Sequence, residues 1–188
     1  MSKRIVFIDR DGVINTFPGH GEYVLSKEAL EVFPYVPESL KRLKEKGFLL
    51  YIISNQACVA KGLLSQEDLK GMTEYMLSKI EAEGKVIDGV YYCIHASEEN
   101  CPFRKPNVGM IDAVFKEAGL TRDEAGPQSY FIGDSIRDVK AAKEANLKSI
   151  LVLSGKESIE KKDSWEARPD FIFSNLKDAV DFILRFTV

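Results

Sequence analysis

Apolar and polar positions along this chain switch repeatedly between two periods. Short runs rich in β-branched and aromatic residues at 5–8, 48–53, 89–94, 129–132 and 149–153 read as buried strands. Segments this short and this apolar suit a sheet covered on both faces. Residues 170–173 predict a sixth, shorter strand. Between the strands the spacing becomes helical. Val36, Leu40 and Leu43 stripe a helix over 37–46, opened by Pro37 and ended by Gly47. Leu69, Met72, Met76 and Ile80 stripe a longer helix that Ser65 caps and Gly84 ends. Met110, Ile111, Val114, Phe115 and Ala118 mark another, closed by Gly119. Ile136, Val139, Ala142 and Ala145 follow, with Asn146 as a left-handed terminus, and Asn175 caps a last helix carrying Leu176, Ala179, Val180, Ile183 and Leu184. Strands alternating with helices predict an α/β fold with a mainly parallel sheet. Residues 15–35, with Pro18, Gly19, Gly21 and Pro34, predict a loop or short hairpin over the strand ends, and 156–163 predicts a solvated charged loop.

The strand ends carry the candidate chemistry. The first strand stops at Asp9-Arg10-Asp11-Gly12. Side chains two apart on extended chain share a face, so Asp9 and Asp11 can enter one pocket. Two like charges held that close call for a cation or a shared proton. Taken alone, the segment also reads as a polar turn. The second strand, however, ends at Ser54-Asn55-Gln56, Lys105 precedes a helix, and the fourth strand ends at Asp134 with Asp138 four residues on. A parallel sheet gathers these groups at one carboxyl edge, where ligands of such sheets bind. Carboxylates and carbonyls suit Mg²⁺, which also takes substrate phosphate. A nucleophile, an acid and a cationic clamp are the parts that phosphoryl transfer needs.

In this order, D-x-D-G, S-N, Lys-Pro before a helix and G-D-x-x-x-D resemble the four motifs of the haloacid dehalogenase (HAD) phosphatases, over roughly the first 150 residues. The resemblance implies a three-layer Rossmann-like core with no large cap domain and short inserts over the site. It implies Asp9 as nucleophile and metal ligand, and Asp11 as general acid/base lending its backbone carbonyl to the metal. Ser54 and Asn55 are then expected at the transferring phosphate, and Lys105 neutralises the phosphate and Asp9. Asp134 is an expected Mg²⁺ ligand, with Asp138 supporting the ion through water. The segments F-I-D-R-D-G-V-I, S-N-Q-A-C-V-A-K-G, Y-Y-C-I-H and F-R-K-P-N-V-G-M resemble the heptose-bisphosphate branch of the family, with the histidinol-phosphate branch close kin. That implies a phosphomonoesterase acting on a small phosphorylated sugar, with a heptose bisphosphate first and histidinol phosphate or another small metabolite as the alternative. Arg10, Asn55, Gln56, Arg104 and Lys105 are the residues expected on substrate, and the inserts at 17–25 and 96–103 are expected to shape the pocket. A receiver-type signalling domain shares an acidic pocket, a Lys and a phospho-Asp, but has no use for an acid/base at Asp11.

The chain departs from this branch at two positions. Cys93-x-His95 and Cys101 resemble a zinc loop of the form C-x-H then C-x-C, but Phe103 occupies the fourth position. The trio is either a three-ligand zinc site completed by water or a degenerate loop held by packing. Ser135 stands where the branch usually carries Lys. Cys58 has no base partner in the sequence and reads as a packing residue.

Composition narrows the setting. The 188 residues predict one domain, 1–188, with 45% hydrophobic and 29% charged residues, ordinary for a globular protein. A formal charge of −3 with no basic stripe argues against nucleic-acid partners. No segment reaches membrane-spanning length, the apolar run after Met1 is short for a signal peptide, and three cysteines make no disulfide framework. A cytoplasmic monomer acting on a small phosphorylated metabolite is expected.

Overall fold

Ile5 and Phe7 project from one face of the first strand and Val6 and Ile8 from the other, and all four are fully buried. The sheet is therefore covered on both sides. The computed structural model describes residues 3–186. Its strands are β1 (Arg4–Ile8), β2 (Phe48–Asn55), β3 (Gly89–Cys93), β4 (Tyr130–Gly133), β5 (Lys148–Val152) and β6 (Phe171–Phe173). They form one sheet in the order β3-β2-β1-β4-β5-β6. Every pair is parallel, so the expectation of a mainly parallel sheet is met in full.

The helices are α1 (Val36–Glu45), α2 (Gln66–Ile80), α3 (Gly109–Ala118), α4 (Arg122–Ala125), α5 (Ile136–Glu144) and α6 (Leu176–Arg185). Leu40 and Leu43 of α1, Met72 and Met76 of α2, and Val180 and Ile183 of α6 pack with Val6 and Ile8. Met110, Val114 and Phe115 of α3, with Ala141 and Ala142 of α5, pack with Ile5 and Phe7. This is the three-layer Rossmann-like arrangement. The ends follow local chemistry. Ser65 Oγ accepts from the Asp68 amide at 3.0 Å, Asn175 Oδ1 accepts from the Asp178 amide at 3.1 Å, and Asn146 turns left-handed at φ 59°. The four-residue α4, capped by Thr121, is too short to leave a periodic stripe and was not legible in the pattern.

Strand order reverses at β1, which has β2 on one side and β4 on the other. That switch point opens a crevice at the carboxyl ends of β1 and β4. Residues 15–35 form no hairpin strands. They cross the crevice as a loop, pinned by isolated bridges of Asn15 to Asp11 and to Val32. Among the described residues there is no cap domain, and no helix is long and apolar enough to cross a membrane.

Candidate active site

The end of β1 is fixed by β4 and by its own turn. The Asp9 amide donates to the Ile132 carbonyl of β4 at 3.0 Å, and Asp9 Oδ1 accepts the Arg10 amide at 2.7 Å. Gly12 then turns at φ 82°, a conformation that side chains resist. A Cβ at Gly12 would also overlap Asp134 Oδ2, and so would one at Gly155. The Asp134 carboxylate thus sits between two backbones that only glycine leaves open.

Lys105 is the cation of the floor. Its Nζ donates to the Ile53 carbonyl at 3.0 Å and forms ion pairs with Asp9 Oδ1 at 2.9 Å and Asp138 Oδ1 at 2.7 Å. Its backbone is held by Asn55: the Asn55 amide donates to the Lys105 carbonyl at 3.0 Å, and the Lys105 N–H donates to Asn55 Oδ1 at 3.0 Å. Asp138 Oδ2 accepts the Ser135 amide at 3.1 Å and the Ser135 hydroxyl at 2.6 Å, a capping arrangement that starts α5. Asp134 Oδ2 accepts the Lys156 amide at 2.8 Å.

One oxygen each from Asp9, Asp134 and Asp138 lie within 4.8 Å of one another, and all three residues are buried. Three carboxylates thus face one ammonium. Burial pushes Asp9 up to about 6; Lys105 opposes that rise and Asp138 adds to it. Burial, then the charges of Asp9 and Asp138, also holds Asp134 well above the usual carboxylate range. Burial works to lower the pKa of Lys105, but Asp138 and Asp9 outweigh it and leave the ammonium above its ordinary value. A divalent cation would relieve this excess negative charge, and an all-oxygen donor set suits a hard ion.

Asp11 stands at the mouth of the same crevice. Arg10 Nε and Nη2 donate to its two oxygens at 3.0 and 2.9 Å, Asn15 Nδ2 donates at 2.9 Å and Gln56 Nε2 at 3.0 Å. Gln56 Nε2 also lies 3.1 Å from Ser54 Oγ. Above the floor is a cavity of about 260 Å³, lined by Asp9, Asp11, Ser54, Asn55, Lys105, Asp134 and Asp138. Its rim is residues 17–23, Ser97 and Arg104, together with Arg137 and Lys156. Of the two inserts expected to shape the pocket, the first lines it over 17–23 and the second through Ser97.

Arg10 and Gln56 require correction. Both were expected on substrate, yet both are 1% exposed and neither lines the cavity. Arg10 Nε and Nη2 are engaged by Asp11, and Gln56 Nε2 by Asp11 and Ser54. The loop from residue 156 also differs from expectation. Its charge predicts a solvated surface, but the Lys156 and Glu157 amides bind the carboxylate and the carbonyl of Asp134, and just before it Ser154 Oγ donates to the Gly12 carbonyl at 2.6 Å. The strand-end rule applied to the fifth strand, which runs into Ser154-Gly155-Lys156, would have found this segment. Arg137 left no signal beyond its place in the first turn of α5.

Cys93, His95 and Cys101 come together as their spacing implied, with donor atoms within 4.8 Å of one another. Phe103, at the place of a fourth ligand, is 45% exposed and offers no donor. The loop has a second support: Arg104 Nη1 donates to the His95 carbonyl at 2.9 Å and Nη2 to Ser97 Oγ at 3.2 Å. Cys58 is fully buried, and burial raises its thiol pKa, in keeping with packing.

A HAD-hydrolase-like family model matches residues 102–179. The D-glycero-beta-D-manno-heptose-1,7-bisphosphate 7-phosphatase of Haemophilus ducreyi is 35% identical over 191 residues, spanning 97% of this chain and 100% of that protein. The protein of that name from Helicobacter pylori is 34% identical, spanning 97% of this chain and 98% of its own. Among solved structures, D,D-heptose 1,7-bisphosphate phosphatase from B. bronchiseptica, complexed with magnesium and phosphate, matches with a TM-score of 0.85 at 25% identity, covering 97% of this chain and 98% of that one.

Proposed function

The chain belongs to the heptose-1,7-bisphosphate 7-phosphatases of the HAD-like hydrolases, and on that premise we propose that it cleaves the 7-phosphate from D-glycero-D-manno-heptose 1,7-bisphosphate, leaving the 1-phosphate. It is a phosphoric monoester hydrolase. The observation that carries the reading is the pairing of Asp9, 2.9 Å from Lys105, with Asp11 on the same cavity two residues later.

The chemistry follows from these positions. An Asp9 oxygen attacks phosphorus, the bond to the sugar oxygen breaks, and Asp11 gives that oxygen its proton. Asp11 then takes a proton from the water that attacks the aspartyl-phosphate, which frees phosphate and restores Asp9. Lys105 holds the charge of Asp9 and of the transferring group, and Ser54 and Asn55 offer a hydroxyl and an amide to its oxygens. Asp9, Asp134 and the carbonyl of Asp11 would hold Mg²⁺, with Asp138 supporting it through water. When bound, the ion neutralises phosphate charge and fixes the in-line geometry. Asp11 opening onto the cavity beside Asp9 supports a hydrolase over a receiver-type domain, since it supplies the acid/base that turnover needs.

Cys93, His95 and Cys101 would hold a structural zinc ion with water in the fourth position, bracing the loop that carries Arg104 and Lys105. Metal content of protein purified without chelators tests this, and less than about a tenth of an equivalent of zinc would remove the site.

The main test is phosphate release with Mg²⁺ from both anomers of the heptose bisphosphate, histidinol phosphate and a panel of sugar phosphates. The expected result is a kcat/KM above about 10⁴ M⁻¹s⁻¹ on a heptose bisphosphate alone. A faster reaction on histidinol phosphate, or uniformly weak turnover, would withdraw the substrate.

A further inference from the structure

The cations that reach the cavity are not equivalent. Lys105 sits at the floor, against Asp9, Asp138 and the Ile53 carbonyl. Arg104 is tied to the His95 carbonyl and Ser97. Arg137, in the first turn of α5, and Lys156, in the loop after β5, line the same cavity. Among the described residues, neither of these two side chains has an ion pair or hydrogen bond. Both also border an adjoining hollow with Lys140, Glu157 and Trp165, which places them at the outer lip. Glu166 on that hollow is paired with Lys140. Ser135, the residue between Asp134 and α5, is neutral, and its hydroxyl is donated to Asp138.

Two unpaired cations of the same sign facing one opening make a seat for an anion. A sugar bisphosphate brings two phosphates: one goes to the floor at Asp9, and the other needs a counter-charge further out. The planar fork of arginine matches phosphate oxygens bidentately, and a lysine adds a mobile point charge. We propose that Arg137 and Lys156 seat the phosphate that is not cleaved, and so set selectivity for a bisphosphate over a monophosphate. The proposal rests on the bisphosphate reading above.

The test compares kcat/KM for the heptose 1,7-bisphosphate with that for the heptose 7-phosphate. It uses the wild type, Arg137→Gln, Lys156→Gln, the double variant and Arg137→Lys. In the double variant the preference for the bisphosphate is expected to fall roughly 30-fold, mainly through KM, as for loss of charge-assisted contacts to one phosphate. Arg137→Lys should retain more of the preference than Arg137→Gln. A loss equal on both substrates, or an unchanged preference, overturns the inference alone. Failure of the wild type to cleave the bisphosphate overturns the substrate reading, and the inference with it.

Discussion

Arg10 grips Asp11 through two parallel hydrogen bonds, at 3.0 and 2.9 Å, from a position only 1% exposed to solvent. The residue between the proposed nucleophile and the proposed acid is therefore a buried brace for the acid. Its guanidinium also lies over the Tyr92 ring, 5.8 Å from the centroid. Arg10→Met should lower kcat roughly 10- to 100-fold, a part of what a positioned general acid contributes, with little change in KM. Arg10→Lys should not restore it, because an ammonium cannot reproduce the fork. The pH–rate profile tells positioning from general damage: a limb that shifts supports the brace, and a uniform drop at every pH contradicts it.

The same pair separates the two aspartates by stability. Asp11→Asn leaves the Arg10 charge buried without its partner. The expected destabilisation is about 1–3 kcal/mol, below the value for a fully buried pair, because Asp11 keeps some solvent. Adding Arg10→Met to Asp11→Asn should recover part of that loss in a denaturant titration. Asp9→Asn instead removes one of three crowded carboxylates and leaves Lys105 on Asp138, 2.7 Å away. It should abolish turnover while keeping the fold. Appreciable residual activity in Asp9→Asn would remove the nucleophile assignment, and an Asp11→Asn protein as stable as the wild type would remove the brace.

Much of this arrangement was legible from pattern alone, and the reason is local. The inner strands β1, β2, β4 and β5 are buried on both faces, so their apolar runs are continuous and their ends are abrupt. Asp9, Ser54, Asn55 and Asp134 could be located because they sit at those ends. Side-chain direction behind the site was not legible. Arg10 and Gln56 lie in the same polar segments as Asp9 and Asn55, and nothing in residue type says that they turn inward to Asp11 and Ser54. Lys156 was misread because a charged loop looks solvated, whereas its role in holding Asp134 is played by its backbone N–H, to which side-chain chemistry gives no clue.

Metal binding should depend on pH, with a definite sign. Asp9 is raised from 3.8 to about 6 and Asp134 is raised too, so the folded metal-free protein holds these protons more tightly than the unfolded chain. For Asp9 the destabilisation accumulates as pH rises from 3.8 and is complete above about 6, which corresponds to ~3 kcal/mol, and Asp134 adds to it in the same direction. Mg²⁺ needs ionised ligands and relieves that repulsion, so its stabilising effect grows over the same window. Saturating Mg²⁺ is expected to raise Tm by roughly 5 °C at pH 8 and by under about 1 °C at pH 5. Equal shifts at the two pH values would mean that the carboxylates are already ionised without metal.

The last prediction concerns two glycines that carry no functional group. A Cβ at Gly12 or at Gly155 would overlap Asp134 Oδ2, and the Gly12 Cβ would also lie 2.9 Å from Gly155 Cα. Asp134 is 4% exposed and held by the Lys156 amide, so it has little room to retreat. Gly155→Ala should displace the carboxylate by overpacking, at about 1–3 kcal/mol, and weaken Mg²⁺ roughly tenfold in an activity titration. Gly12→Ala adds backbone strain at φ 82° and should be the worse of the two. Gly21 is the control: its φ is 83°, but a Cβ there meets nothing within 4 Å. Gly21→Ala carries the strain without the clash, and should leave the Mg²⁺ requirement as it is. If Gly155→Ala needs no more Mg²⁺ than Gly21→Ala does, the closeness of these backbones to Asp134 does not govern metal binding.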